Sequence, residues 1–319
     1  IHVVLNKNLF LFTRNLFKPN VLMYLEEETG NYYVSVKNFS SFLNFFRLKS
    51  KLDEIPENEH AVLDFSLCSF VDHTVMEGLN EYRRGFARKG GAFEIIGLDA
   101  HTADTQHPFA IRKSLPTNDF FRINNNLTKR QLSLQKLSTI IGWGYRSEPT
   151  SETKELERFD FFKAKIINYQ FNEIVSEGGD FHLFDLSYSE GAFISKDDIL
   201  SSFLLINLKF DIPIFILDRE NLLGGINENT VYKDLDFPKY PDFSKRFFLG
   251  GKKASEIRNL FDSKLIFFFE SHAYFRVESI GKSILIKGKS RLSSIQEIKL
   301  LLSFSTELMS IINNKYLDK

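Results

Sequence analysis

Between Ala61 and Leu98 the chain spells out a strand, a helix and a second strand in a form that few folds accept. "AVLDF" (Ala61 to Phe65) and "AFEIIGL" (Ala92 to Leu98) are apolar rather than alternating. Strands of that kind are covered on both faces, as in a parallel sheet. The stretch between them carries Val75, Leu79, Tyr82 and Phe86 at helical spacing and stops at Gly90-Gly91, a C-terminal glycine signal. Two parallel strands joined by a helix require a right-handed crossover.

The segment upstream extends this pattern. "VLMYLEE" and "YYVSVK" flank the turn "ETGN" and predict a hairpin over residues 21–37. A helix is expected next, with Phe39, Phe42, Leu43 and Phe46 on one face, Asn38 or Ser40 as its cap, and Pro56 stopping it after Ile55. This first domain ends near residues 113–118, and the polar joint "LPTNDFFRINNN" leads out of it. We therefore divide the chain into residues 1–118 and 119–319.

In the second part Leu127, Leu134, Leu137 and Ile141 share a helix face, and "SEPTSETKELE" (Ser147 to Glu157) is a charged loop. Long β-like pieces follow, then a hairpin turning near Ile280-Gly281, bracketed by the helices "ASEIRNLFDSKLIFFFE" and "SSIQEIKLLLSFSTELMSII". Phe261, Phe267, Phe268 and Phe269 are expected in its core. Consecutive strands with helices segregated toward the end predict an α+β domain.

Charge narrows the partners. Lys plus Arg (41) equals Asp plus Glu (41), so there is no overall attraction for nucleic acid, and none is expected as a partner. One cysteine, Cys68, rules out an intrachain disulfide and cysteine-based metal sites, and fits a reducing compartment. No run reaches the roughly 18 to 20 apolar residues of a membrane helix. The chain begins with Ile1 and shows no signal peptide, which we read as the soluble part of a longer protein.

Chemistry concentrates where the first crossover begins. In "VDHT", Thr74 and Glu77 match a T-x-x-E capping box, which makes Thr74 the expected helix cap. Loops at the carboxyl ends of parallel strands are where ligands and partners meet such sheets. "VDHT" occupies one such loop, and "DAHTADTQHP" the next, bringing Asp99, His101, Asp104 and His107 to the same edge as a ligand-facing loop. The spacing of these residues fits no zinc pattern, so no metal, no cofactor and no catalytic residue is assigned. Solvated loop residues are the plainer alternative.

"LKSKLDEIPENEHAVLDFSLCSFVDHTVMEGLNEY" followed by "GGAFEIIGLDAHTADTQHPFAIRK" resembles the cytoplasmic STAS domain of bacterial SulP-type sulfate and inorganic anion transporters, related to anti-sigma-factor antagonists. The resemblance covers roughly residues 15–113. It implies a mostly parallel sheet of four or five strands with helices mainly on one side. It also implies a non-catalytic regulatory and assembly role at the cytoplasmic face of the inner membrane. The partner would be the transmembrane domain of the same polypeptide, a cytoplasmic regulatory protein, or a second copy in a homodimer. A partner-switching regulator or a small anion- or metal-binding module are the alternatives.

In anti-sigma-factor antagonists the matching joint reads Asp-Ser-Ser, and its first serine is phosphorylated. Asp72 matches the Asp, but His73 stands at the phosphoserine position and Thr74 at the second serine. Asp72, His73 and Thr74 thus form the expected interaction loop, with His73 offering control by local pH in place of phosphorylation. The resemblance assigns no activity to residues 119–319.

Overall fold

The crossover read from residues 61–98 is the spine of the first of two compact units, residues 1–133 and 134–319. The computed structural model describes residues 20–114, 127–148, 150, 153–191, 197–219 and 232–316. The joint Leu115 to Asn126 therefore lies outside the described residues.

In the first unit β1 (Asn20–Glu26) and β2 (Asn31–Ser40) form the opening hairpin, and α1 (Phe42–Leu52) leads to β3 (His60–Asp64), parallel to β2. A short β4 (Cys68–Val71) runs into α2 (His73–Arg88), and β5 (Ala92–Ile96) lies parallel to β3. The 3-10 turn Leu98–Ala100 then passes into a small hairpin of β6 (His101–Ala103) and β7 (Arg112–Ser114). The strand order is β5-β3-β2-β4-β7-β6, with β1 also on β2, so among the described residues the sheet has seven strands where four or five were expected. The surplus comes from β4, β6 and β7, which at three or four residues are too short to show a periodicity.

Strand β2 serves two partners in succession. β1 covers its residues 31–37 and β4 takes over from Asn38, where the register shifts. Asn38 holds φ 68° there, in the left-handed region that asparagine tolerates better than most residues. Its N–H donates to the Leu67 carbonyl at 2.9 Å.

Val34, Val36, Ala61, Leu63 and Phe93 of the sheet pack with Leu48 and Leu52 of α1 and Val75, Leu79 and Phe86 of α2 in one core. The predicted stripe of α2 therefore faces inward. That of α1 does not: Phe42, Leu43 and Phe46 are 62, 39 and 80 % exposed, and the helix buries Asn44, Leu48 and Leu52 instead. The Asn44 amide accepts from the Ser41 N–H at 2.9 Å and donates to the Phe39 carbonyl at 3.1 Å. Those two bonds hold the Asn44 side of α1 against the end of β2, to which Phe39 belongs.

Helix α3 (Lys129–Ile141) spans the division between the units, and Thr128 and Gln131 form its capping box, each N–H donating to the other's side chain at 2.9 and 3.1 Å. The second unit is built on an antiparallel sheet with eight strands among the described residues: β8 (Gly144–Arg146), β9 (Ile166–Val175), β10 (Phe181–Glu190), β11 (Asp197–Asn207), β12 (Phe215–Arg219), β13 (Phe247–Gly251), β14 (Arg276–Ser279) and β15 (Ser283–Lys287). Their order is β13-β12-β14-β15-β11-β10-β9-β8. Gly281, at φ 100°, makes the predicted hairpin turn.

Around this sheet run α4 (Pro241–Arg246), α5 (Ala254–Leu260), α6 (Ser263–Ser271) and α7 (Ile295–Tyr316). The stretch read as one helix from Ala254 is two, because the Asp262 carboxylate accepts from the Leu265 N–H at 3.1 Å and starts α6 afresh. Phe261, Phe268 and Phe269 are buried as expected, whereas Phe267 is 68 % exposed. No helix among the described residues is long and apolar enough to cross a membrane.

Candidate functional site

The first unit gathers its reactive side chains where β4 becomes α2. Asp72 is extended (φ −82°, ψ 170°) and its Oδ1 accepts from the Val75 N–H at 2.9 Å. Its Oδ2 accepts from the Phe42 N–H, at the start of α1, at 2.6 Å. One carboxylate thus caps two helices, in the positive field of both N-termini. Thr74, the expected cap, is already inside α2 and exposed, and Glu77 approaches His73 rather than the Thr74 N–H. Asp72 wins because it is the last extended residue before the helix, the position from which a side chain reaches the first free N–H groups.

The two loops expected at one edge do meet. His73 is exposed, with Nδ1 2.8 Å from the Phe109 carbonyl and Nε2 3.8 Å from Glu77 Oε2. The His73 and His107 rings lie 5.4 Å apart between centroids, and Phe109 sits 6.2 and 5.5 Å from them. His107 Nδ1 accepts from the Phe109 N–H at 3.1 Å, so the neutral ring carries its proton on Nε2.

Asp99 and His101 belong elsewhere, which corrects their expected place on a ligand-facing loop. Asp99 is buried; its Oδ2 accepts from Arg130 Nη1 at 2.7 Å and its Oδ1 from the Thr128 hydroxyl. His101 is 2 % exposed, with Nδ1 3.0 Å from the Gly97 carbonyl and Nε2 2.6 Å from the Cys68 carbonyl. Burial pushes its pKa down to about 4, against the pull of those carbonyls, and the neutral ring, with one N–H, donates to one of the two. Asp104 is half-exposed and pairs with Lys113 at 3.0 Å. Among the described residues no group of three or more His, Cys, Asp or Glu side chains is placed to hold a metal ion.

Behind His107 lies a cavity of about 440 Å³, walled by Met76 and Asn80 of α2, Ile95 of β5, the loop from Gln106 to Phe109 and the stretch Leu127 to Leu132. Arg112, at the start of β7 and opposite Val71, is one of its lining residues. It is only 5 % exposed, and its Nε and Nη1 have no acceptor among the described residues. Burial pushes Arg112 below the usual arginine range while the charge of Asp99 opposes that shift. Lys129 also lines the cavity and donates to Asn80 Oδ1; burial, then the charges of Arg83 and Arg84, push its pKa down.

Sequence reasoning missed Arg112 and Lys129. The T-x-x-Q box at Thr128 was a readable sign that a helix begins there, but nothing local marks "AIRK" as the wall of a cavity. The second unit has a larger groove of about 770 Å³, but Lys252, Lys253 and Lys315 share it with Asp211 and Glu256, and Lys253 pairs with Glu256 at 2.8 Å.

No family model matches the chain, and no curated protein does. Among solved structures, the mycobacterial trehalose monomycolate transport factor A, TtfA, is similar at 9 % identity over 57 % of this chain and 93 % of that one, with a TM-score of 0.42. An antisigma-factor antagonist STAS domain from Rhodobacter sphaeroides is similar at 18 % identity over 27 % of this chain and 91 % of that one, with a TM-score of 0.22.

Proposed function

We propose that the chain is the non-catalytic cytoplasmic regulatory and assembly region of a SulP-type anion permease, working through the edge around Asp72. The observation that carries this reading is the outward face of α1: Phe42 and Phe46, at 62 and 80 % exposure, stand beside the double cap with Leu43. Exposed apolar residues grouped in this way mark contact surfaces more often than solvated ones. Their partner in this reading is the membrane domain of the same polypeptide, and the "VDHTVME" and "EIIGLD" stretches support it by their SulP-like sequence.

The test is made in the full-length protein in cells. Phe42→Ser with Phe46→Ser is expected to lower anion uptake or the amount of protein in the membrane while the first unit of the purified chain keeps its hydrogen-exchange protection. Uptake and membrane level equal to wild type would sink the reading. Removing residues 15–113 should have the same effect, more strongly. Exposed Thr74 keeps the partner-switching alternative in view; phosphate found on it in cells, with binding to a regulator that depends on that phosphate, would favour the alternative.

A further inference from the structure

We propose that the first unit binds an amphiphilic carboxylate, its head on Arg112 and its apolar body in the cavity between α2, β5 and the Gln106–Phe109 loop. Arg112 carries the argument. A buried guanidinium is ordinarily paired or hydrogen-bonded, because an unsatisfied cation out of water is costly. Here Nε and Nη1 have no acceptor among the described residues, and the nearby carboxylate of Asp99 is already held by Arg130 and Thr128. The fixed planar fork of arginine suits a carboxylate better than a spherical ion.

The walls decide the rest of the ligand. Among the described residues Arg112 and Lys129 are the cationic lining residues, His107 stands among them, and no carboxylate lines the cavity. Much of the remaining surface is apolar, from Met76, Ile95, Leu98, Phe109 and Leu132. A bare inorganic anion would leave those walls wet, and a neutral apolar molecule would leave Arg112 as it is. Only a molecule with both parts satisfies the whole lining, and about 440 Å³ falls within the roughly 300 to 1,000 Å³ of small-molecule sites.

The experiment is calorimetric titration of the purified full chain with decanoate below its micellar concentration, with acetate and decanol as the two half-ligands. Decanoate is expected to bind at one site, and acetate and decanol at least tenfold more weakly. Arg112→Gln should weaken decanoate at least tenfold. Met76→Trp, which fills the cavity without touching its charge, should do the same and carries the test if Arg112→Gln does not fold. Equal affinity for decanoate and decanol, unchanged affinity in a folded variant, or no heat with any of the three ligands overturns the proposal. Uptake in cells tests the regulatory reading separately, so a missing heat removes this site and leaves that reading standing.

Discussion

Replacing Asp72 by alanine takes away two helix caps with one substitution. A side-chain cap is worth about 1 kcal/mol, and Asp72 supplies one to the Val75 N–H and one to the Phe42 N–H. Asp72→Ala should therefore destabilise the first unit by about 1 to 2 kcal/mol, the upper figure being the sum of two ~1 kcal/mol caps, which share one carboxylate and so need not add fully. Serine has a single hydroxyl oxygen and a shorter reach, so Asp72→Ser should keep the α2 cap and cost less, up to about 1 kcal/mol. Thr74→Ala, on the exposed side of the first turn, should stay within about 0.5 kcal/mol. Because the chain holds two units, a single global unfolding energy is the wrong quantity. Hydrogen exchange read by mass spectrometry, on peptides covering residues 42–52 and 73–88, measures the opening of α1 and α2 separately. Both peptides should lose protection in Asp72→Ala. A Thr74→Ala effect as large as that of Asp72→Ala, or loss confined to α2, would refute the double cap.

Acid should act on the two units in different windows. Burial lowers the His101 pKa to about 4, so its contribution is complete above its ordinary pKa of 6.5 and is lost as pH falls from there toward 4. That amounts to about 3 kcal/mol at 1.36 kcal/mol per unit, and His101→Gln should flatten the dependence. In the second unit burial pushes Glu297 up, but hydrogen bonds and charge from Arg291, with Lys289, overcome it and hold the carboxyl at about 2. Its contribution is present above the ordinary value of 4.5 and is lost between there and 2, so an acid titration followed by exchange should release the first unit before the second. Burial also pushes the Cys68 thiol up to about 12, so iodoacetamide at pH 8 should label it only after urea unfolds the chain; rapid native labelling would contradict its buried place.

How much of this was legible depends on the range over which each feature is decided. The apolar strands β3 and β5 and the inward stripe of α2 are local patterns, and they read correctly. The meeting of His73 with His107 was also readable, because parallel strands deliver their following loops to one edge. The T-x-x-E at Thr74 misled because Asp72, two residues earlier, is the last extended residue before its helix, whereas Thr128 with Gln131 and Ser294 with Glu297 form real boxes. The stripe on α1 left core and surface open, because spacing shows only that apolar residues share a face. Which face turns inward was settled by Asn44 and the end of β2. Arg112 owes its surroundings to pairing with Val71 and to a wall that begins at Leu127, distances over which sequence periodicity carries no information.

The clasp between Asp99 and the pair Thr128 and Arg130 bears on where this unit can be cut. A gene shortened after Ser114 would still encode the seven described strands of the first sheet, and by strand count would look complete. It would discard both of those donors to a buried carboxylate, a loss of the kind that costs about 3 to 5 kcal/mol, and with them the Leu127 to Leu132 wall of the cavity. Thermodynamically the module therefore runs past its last strand. A fragment meant to report on the sheet alone should extend at least to Ser133 if it is to carry its own core and its own binding wall.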